Sequence, residues 1–411
     1  MKRFNIIGFL FISAFLLARN GETKLAPDAP KVFIDCEDCD MDYIKREIPY
    51  VNYVIERKEA DIFVLITKQT TAGEGYKWTI IFTGQNLFSG LTDTLNYYTS
   101  IFDSDEKSRN GLVRKLKIGL VRYLAKTPLA DKILITLPEE KIVPKPYDPW
   151  HNWVFNISLS TYFQGQQRYN FNTINTSLSI NKVVEDWKTL NSLSYFYRYN
   201  IYKVEDTVII NESKSYSGST NLVIGLGHHL SLGSYLSFYS STYENISISG
   251  GIGPALEYNI FPYEQSSLHK LTLQYDLSYI YFEYFELTIY DKLKEKLFKE
   301  AISLNAYIRQ PWGSLDVSLS GSHYFHDFKK NRLTLYTDVS LPILERLSFK
   351  VYSYVSMIHD QLSLPKRELT EEEIILQKRI LATQYSYYVS IGISYTFGSI
   401  YSNIVNPRFG N

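Results

Sequence analysis

The segment from Tyr385 to Phe397 alternates between two kinds of side chain at every second residue. Its odd-numbered positions carry Tyr, Val, Ile and Phe, whereas its even-numbered positions carry Ser, Gly and Thr with a single Tyr. Successive side chains of a β-strand point to opposite faces, so this strand would have one apolar face and one small, hydroxylated face. At about thirteen residues it is longer than an average soluble strand and suits a tilted strand that crosses a bilayer. The pattern therefore predicts a strand placed between lipid and water.

The same alternation recurs back to Trp153 and predicts about twelve strands. An even number of strands leaves both ends of the barrel on one side of the membrane. We therefore predict a transmembrane antiparallel β-barrel of about twelve strands preceded by a small α+β periplasmic domain; the alternative is a soluble, tyrosine-rich β-sandwich. The predicted strands centre near Leu159, Ser177, Tyr195, Leu222, Leu236, Leu256, Leu277, Asn305, Leu319, Thr337, Tyr352 and Ile391.

The connections between these strands support the count, because short and long connections fall in alternate groups. Short turns are predicted near 185–186, 227–228, 262–263, 311–312 and 342–343, all in periplasmic slots. Long links are predicted at 203–215, 284–299 and 359–381, all in extracellular slots. Two of the long links have a helical pattern, at 290–298 and 370–381. These helices could fold into the mouth of the barrel as a lid, bind an external partner, or form a solvated decoration, which we favour.

The composition fits this class. The 43 basic and 43 acidic residues balance, so nothing favours nucleic-acid binding, which requires a basic face. The mean hydropathy of −0.17 argues against a helical membrane protein, whereas in a barrel half of each strand faces water. The chain holds 35 Tyr and 23 Phe, and tyrosine suits the interfacial girdle of a barrel.

Four regions are predicted along the chain. Lys2 and Arg3 precede an apolar run at 6–18 that is too short to span a membrane, so residues 1–26 are predicted to be a signal peptide. No cysteine follows that run, which argues against a lipoprotein anchor. Residues 28–138 form the periplasmic α+β domain, residues 139–150 form a proline-rich linker, and residues 151–411 form the outer-membrane barrel.

The first domain has mixed patterning. Strands are predicted at 31–35, 53–56, 61–67, 76–82 and 131–137, with a hairpin tip at 73–75. A short helix is predicted at 40–49, and a longer one at 105–126 that buries Leu112, Leu116, Leu120 and Tyr123 or Leu124 and is capped by Asp103 with Glu106.

Cys36 and Cys39 form a Cys-Glu-Asp-Cys motif directly after the first strand. A redox site would use a lowered thiol pKa, but the acidic neighbours oppose thiolate formation. A zinc site would need two further ligands, and this domain contains no histidine and no other cysteine. We favour a structural disulfide in an oxidising periplasm, while the redox and metal alternatives stay open.

Two resemblances follow from these segments. A strand of Ala-Asp-Ile-Phe-Val-Leu at 60–65, a paired strand and a long helix resemble small periplasmic α/β domains such as the amino-terminal domain of TolB and that of the curli secretion channel. Three further segments are the Val-Phe-Ile-Asp-Cys start at 32–36, the helix end at 119–128 and the Asn-Ile-Val-Asn-Pro-Arg-Phe tail at 403–409. Together they resemble an outer-membrane β-barrel family of Bacteroidota-type bacteria. The second resemblance implies a periplasmic domain before a barrel and carries no activity with it.

Six charged residues share parity with the small polar positions of their strands and are predicted to face the lumen as a charge network. Asp338 and Lys350 are predicted to lie opposite each other across one hairpin, and Arg309 and Asp316 close to opposite across another. Such a network could be a selectivity ring, or a polar filling that rigidifies the barrel, which we favour because unpaired charges in a narrow lumen are costly. The six are Glu257, Asp276, Arg309, Asp316, Asp338 and Lys350.

No catalytic motif is present, so we predict that the chain is not an enzyme. Ser322, His323 and Asp327 have suitable types, but neighbours in one strand face opposite sides, and we predict an interfacial histidine. We expect an outer-membrane protein whose periplasmic domain docks an envelope protein in an anchoring or assembly role. A small-solute, porin-like channel and a surface enzyme acting on lipid or peptide are the alternatives. Outer-membrane lipid and lipopolysaccharide are expected to surround the barrel, with no cofactor and no nucleic acid.

Overall fold

The computed structural model describes most of the chain between residues 25 and 403, in two compact units. The first is formed mainly by the N-terminal residues with the last described ones, and the second mainly by residues from 148 to 395. The predicted signal peptide and proline-rich linker fall almost entirely outside the described residues, as does most of the hairpin tip at 73–75. The described ranges are 25–26, 28–36, 38–71, 75–101, 103–135, 148–204, 207–310, 312–344, 347–368, 370–376, 378–395 and 401–403.

The first unit is a five-stranded sheet with two helices. The sheet order is β2-β1-β3-β4-β5, and β1 pairs in parallel with both β2 and β3. The elements, in chain order, are β1 (Lys31–Asp35), α1 (Met41–Glu47), β2 (Asn52–Tyr53), β3 (Ile62–Thr70), β4 (Tyr76–Gly84), β5 (Thr92–Thr99) and α2 (Asp105–Leu124).

Helix α2 packs on one face of this sheet, as predicted. Its buried side chains Leu112, Leu116, Leu120, Tyr123 and Leu124 join a core with alternate residues of β3 and β4. The side chains at i, i+4 and i+8 lie on one face of a helix, which is why this spacing selects the buried stripe.

The ends and edges of the first unit depart from the prediction. The N-cap of α2 is Ser104, whose Oγ accepts from Lys107 N, whereas Asp103 accepts from Ser100 N and pairs with the Lys107 ammonium. The predicted strand at 131–137 is wrong for its described part, because Ala130–Lys132 is a 3-10 helix and 133–135 has no strand pairing. Strand β5 was not predicted.

The last described residues of the chain extend the sheet of the first unit. Tyr401 forms an antiparallel bridge with Val54, directly after β2. Ser402 N donates to Tyr53 O at 3.0 Å, and Tyr53 N donates to Asn403 Oδ1 at 2.6 Å. The tail therefore pairs with the edge strand β2, although it follows the last strand of the second unit in sequence.

The second unit is a twelve-stranded antiparallel sheet in which each strand pairs with its neighbours in sequence. All twelve predicted centres fall within its strands, so the predicted strand count and antiparallel β-class are confirmed. The strands are β6 (Trp153–Gln166), β7 (Tyr169–Val183), β8 (Trp187–Val204), β9 (Thr207–Gly225), β10 (Leu230–Ser241), β11 (Ile246–Asn259), β12 (His269–Tyr284), β13 (Lys294–Gln310), β14 (Gly313–Tyr324), β15 (Asp327–Leu344), β16 (Leu347–Ile358) and β17 (Tyr385–Tyr395).

The two faces of this sheet differ as the alternation predicts. On the outward face, large apolar side chains are exposed: Leu236 and Ile252 are each 54% exposed and Ile391 is 65% exposed. On the inward face of the central strands, small polar side chains are buried, with Thr272 and Ser356 both at 0%, whereas β17 at the edge is exposed along both faces. An apolar surface of this extent on a soluble protein would be a binding or aggregation surface, so it requires an apolar medium or a partner.

We define the inner end of the sheet as the end at which β6 begins and β17 ends, and the outer end as the opposite one. The connections at the inner end are short. At the outer end, the link predicted at 203–215 is wrong, since β8 and β9 continue as one extended hairpin up to residues 204 and 207. The predicted helix at 290–298 is also wrong, since β13 begins at Lys294.

Of the second predicted loop helix, at 370–381, one short helix is present, α3 (Glu371–Ile375). Strands β6 and β17 are the two edges of the sheet, and no register joins them in their described residues. No helix among the described residues is long and apolar enough to cross a membrane.

Candidate functional site at the outer end of the sheet

The connection between β16 and β17, residues 359–384, folds across the outer end of the sheet, and we name it the cap. It contacts the ends of strands far apart in the sheet. Asn211 of β9 donates from Nδ2 to Leu376 O at 3.2 Å, and Arg332 of β15 bonds Asp360. The cap therefore reaches across most of the outer end and does not extend freely into solvent.

A short antiparallel pairing joins the cap to the β12–β13 loop. Ile289 N donates to Leu364 O at 2.9 Å, and Lys366 N donates to Leu287 O at 2.8 Å. Thr288, which is fully buried, bridges to Pro365 between these two bonds. Because backbone groups make this contact, the pairing fixes the position of the cap without depending on particular side chains.

Asn245, in the turn between β10 and β11, connects three segments. Its side chain is fully buried, and its Nδ2 donates to Glu286 O at 3.1 Å and to Ser363 O at 2.9 Å. Its Oδ1 accepts from Glu286 N at 2.8 Å. Its φ of 60° is in the left-handed region that asparagine tolerates better than most residues. This residue holds the cap and the β12–β13 loop against one turn.

Glu286 is the acceptor for two arginines of the cap. Arg379 NH2 donates to Glu286 Oε1 at 2.9 Å, and its NH1 donates to Thr242 O at 3.0 Å. Arg367 Nε donates to Glu286 Oε2 at 2.8 Å, while both its NH1 and NH2 reach Glu373 at 2.9 and 2.7 Å. Planar, two-point bonds of this kind are the strongest charge-assisted hydrogen bonds between side chains.

The bonds from Arg367, with a further one from Thr370 N, lower the pKa of Glu373 to about 2. The carboxylate therefore keeps its negative charge at any physiological pH. Glu373 N also donates to Thr370 Oγ1 at 3.2 Å while Thr370 N donates to Glu373 Oε2 at 3.0 Å, and this capping box explains where α3 starts.

On the other side of the cap, Asp360 is nearly buried and pairs with two cations. Arg332 bonds its Oδ1 through Nε at 2.9 Å and through NH2 at 2.8 Å, and Lys299 Nζ lies 3.7 Å from its Oδ2. A buried carboxylate without such partners would be costly, so these two cations offset the burial of Asp360 at the outer end of the sheet.

Between the cap and the β14–β15 region lies a groove of about 680 Å³. Its polar lining includes Lys329, Lys330, Asn331, His359 and Thr383. Lys330 Nζ lies over the ring of Tyr290, 3.8 Å from its centroid. The groove is open, basic and amide-rich, so an anionic or hydroxylated group is the kind of ligand that it could hold.

The predicted charge network lies on the inward face but is not paired as predicted. No ion pair within 4.0 Å joins any two of its six members, all of which belong to the described residues. Lys350 lies opposite Ser340, and Asp338 lies opposite Tyr352, so the predicted Asp338–Lys350 pair is wrong. The partner of Lys350 is shifted by two residues from the prediction, because β15 continues through Pro342 to Leu344 beside a bulge.

The register also separates Arg309 from Asp316, which were predicted to be close to opposite, by two residues. Arg309 lies opposite Ser314, and Asp316 lies between Tyr307 and Asp338. Two carboxylates therefore face each other across β14 and β15, with Arg309 close enough for its charge to act on Asp316. The grouping is a mixed charge cluster at the inner half of the sheet.

The remaining two acids join local hydrogen bonds. Tyr263 Oη donates to Glu257 at 2.9 Å and accepts from Ser231 Oγ at 2.9 Å. Gln274 Nε2 donates to both oxygens of Asp276, at 2.9 and 3.0 Å. Serine pairs continue the polar lining on β6 to β9: Ser158 with Ser177 at 2.7 Å, Ser194 with Ser217 at 2.6 Å, and Ser192 with Ser219 at 2.9 Å.

The other predicted site residues lie apart from the cap. Cys36 and Cys39 are joined by a disulfide, with their Cα atoms 5.7 Å apart. Ser322 has the parity of the inward face and His323 that of the outward face, so the two do not converge. His228, in an inner turn, lies 2.5 Å from Glu264 through Nδ1. Among the described residues, no group of three or more His, Cys, Asp or Glu could hold a metal ion.

No family model matches the chain, and no curated protein matches it. Among solved structures, the chain is similar to CdiB from Acinetobacter baumannii, with 9% sequence identity and a TM-score of 0.27. The match covers 82% of this chain and 72% of the CdiB chain.

Sequence reasoning did not identify the residues that hold the cap: Asn245, Glu286, Asp360, Arg367 and Arg379. They lie in irregular segments, where no period marks which face a side chain takes. Their contacts join residues as far as 137 apart in sequence, as between Arg379 and Thr242. One signal was available for the start of α3, since Thr370 and Glu373 have the Thr-x-x-Glu spacing of a capping box.

Proposed function

We propose that this protein is an integral outer-membrane β-barrel, closed at its outer end by the cap, that anchors its N-terminal domain in the periplasm, where the domain docks an envelope partner. The apolar outward face supports the membrane location, because strands with this alternation bury one face in lipid and wet the other. The observation that favours an anchoring role over an open pore is the cap, which is hydrogen-bonded to β9, to the turn between β10 and β11, and to β15.

Membrane insertion adds one requirement. Unpaired backbone N–H and C=O groups of the two edge strands cannot lie in hydrocarbon, so β6 and β17 must pair with each other in the membrane. They run in opposite directions, and their small residues Ser158 and Ser390 have the parity of the inward face. Pairing them in antiparallel fashion would keep one apolar outer surface and one polar inner surface.

The docking role rests on the first unit. It has its own hydrophobic core, which a simple pore would not require. Strand β5 is an edge of its sheet, and Tyr98 on this strand is 62% exposed. Exposed edge strands are common sites of strand addition by a partner.

A photo-crosslinking amino acid tests the docking role in the full-length protein in its native envelope. Placed at Tyr98, it is expected to give a discrete crosslinked product that contains a second protein. The same amino acid at Ile118, on the exposed side of α2, is the matched control. Equal products at both positions, or none at Tyr98, would count against docking through β5.

The second candidate function is a gated channel for a small solute. The inward face favours it, since its serine pairs and the charges near Asp316 would suit a hydrated passage. In this alternative the cap is a gate that opens.

Single-channel recording in planar bilayers separates the two candidates. We expect the wild-type protein to give no stable conductance, because the cap covers the outer end. The double variant Asn245→Ala/Arg379→Ala removes five hydrogen bonds, three of which involve cap residues directly, with Lys329→Ala as a control that leaves all five in place. If the protein is an anchor, none of the three proteins should give stable conductance. If it is a gated channel, the double variant alone should conduct. Stable wild-type conductance would contradict the anchoring proposal.

A further inference from the structure

The outward face of β13, β14 and β15 carries an unusual order of side chains in its outer half. Cross-strand register places them in three successive rows, each with one residue per strand. From the centre of the sheet towards the outer end, the rows are Leu304, Leu319 and Leu335; then Ile302, Gly321 and Leu333; then Glu300, His323 and Asn331.

The third row places an ionisable pair beside apolar surface. His323 Nε2 lies 2.7 Å from Glu300 Oε1, and Tyr275 Oη donates to Glu300 Oε2 at 2.6 Å. The rings of Phe325 and Phe328 lie 5.7 and 4.6 Å from that of His323. Ionisable residues on a membrane-facing surface are costly and rare, and they commonly mark functional sites.

A groove of about 390 Å³ lies between these rows, and its accessible surface is mostly apolar although Ser322, Asn331 and Arg332 line it together with the pair. Gly321 forms its floor, because a Cβ atom added there would meet only Leu333 Cδ1, at an ordinary 3.7 Å. The neighbours in its row, Ile302 and Leu333, are 51% and 45% exposed and form the walls. The groove therefore occupies the space that a side chain at Gly321 would fill, and it is open to the surrounding medium.

Beyond the polar row the surface becomes aromatic and then basic. Phe298, two residues further along β13, is 54% exposed. Lys296 on β13 follows on the same face and is exposed. Along this face the order is apolar groove, hydrogen-bonding pair, aromatic ring and cation, which matches the order of acyl chain, ester linkage and phosphate in a glycerophospholipid.

We propose that this groove binds an anionic lipid with a phosphate and ester-linked acyl chains, a chemistry shared by glycerophospholipids and the lipid part of lipopolysaccharide, with one acyl chain over Gly321, the ester region at the Glu300–His323 pair and the phosphate towards Lys296. The site rests on the membrane location proposed above. An acyl chain would cover apolar surface that is otherwise a gap in the wall, and a cation would hold the phosphate at the interface.

Native mass spectrometry of the full-length protein, released from detergent and titrated with phosphatidylglycerol, tests the site. The wild type is expected to retain one lipid more tightly than the rest. Gly321→Leu fills the groove and is expected to weaken that binding about tenfold, the equivalent of losing roughly two buried methylene groups. Thr220→Leu places the same leucine side chain on the outward face of β9, away from the groove, and is expected to leave the binding unchanged. Heat-modified gel mobility verifies that both variants are folded.

A charge variant tests the orientation. Lys296→Gln is expected to weaken phosphatidylglycerol binding while leaving phosphatidylcholine binding unchanged. Equal retention by the wild type and Gly321→Leu would overturn the groove site while leaving the membrane location intact. If neither the wild type nor any variant retains lipid, the lipid site fails, and the membrane location is then tested by the access of spin labels to oxygen in the bilayer.

Discussion

Replacing Leu319 by arginine is expected to destabilise the folded protein in lipid by about 2–4 kcal/mol, the cost of a charged side chain near the bilayer midplane. Leu319 lies in the middle of β14 and belongs to an outward row with Leu304 and Leu335. An arginine there must either enter hydrocarbon or draw water into it. Urea unfolding in phospholipid vesicles, followed by tryptophan fluorescence, measures the free energy.

The matched control is the adjacent residue on the same strand. Ser320→Arg places the same side chain on the inward face, among Ser303 and Thr334, where it can remain hydrated. We expect this change to cost less than about 1 kcal/mol, as for lumen positions that tune selectivity without loss of stability. Equal costs at the two positions would mean that the faces do not contact different media.

The second large effect is expected in the N-terminal unit. Phe82→Ala should destabilise that unit by about 3–5 kcal/mol, as is typical for removing a buried aromatic ring. Phe82 is fully buried, and its ring packs against Tyr123 and against the helix backbone at Gly119. Hydrogen exchange of the α2 amides in the full-length protein reports on this unit separately from the barrel.

Gly119 provides an independent check of that packing. A Cβ atom at Gly119 would lie 2.1 Å from the Phe82 ring, so Gly119→Ala should cost about 1–3 kcal/mol through overpacking. In a Phe82→Leu background the ring is absent, and much of this cost should disappear. Additive effects of the two changes would show that helix and ring do not meet there.

The regular elements could be predicted because their physics is local. The alternation from Trp153 onwards specifies strands, since each residue has only two faces to choose between, and all twelve strand positions followed from it. Likewise, the spacing of Leu112, Leu116 and Leu120 specified the buried face of α2. Strand β5 was missed because Thr, Asn and Asp interrupt its apolar positions, Leu95 and Tyr97.

The sequence did not predict the register between neighbouring strands or the structure of the loops. Pro342 is a common turn residue, but here it remains in β15 beside a bulge, so the partner of Lys350 is Ser340 and not Asp338. The predicted helix at 290–298 has charges at helical spacing, yet pairing with β12 extends the chain from Lys294. In both cases contacts with a neighbouring strand outweighed a local preference.

The location of the cap depends on contacts between distant segments. Residues 359–384 have no period, and their position is set by partners such as Asn245 and Glu286, which are neighbours only in the folded chain. The free energy of such contacts cannot be read from either segment alone, because each segment supplies only half of every hydrogen bond.

Spin labels at Leu236 and Ser237, in full-length protein reconstituted in lipid, test the central claim that one sheet separates lipid from water. These residues are neighbours in the middle of β10, on its outward and inward faces. We predict that the label at Leu236 collides mainly with oxygen dissolved in the bilayer, and the label at Ser237 mainly with a water-soluble nickel complex or with neither reagent. Equal access of the nickel complex to both labels would contradict the account.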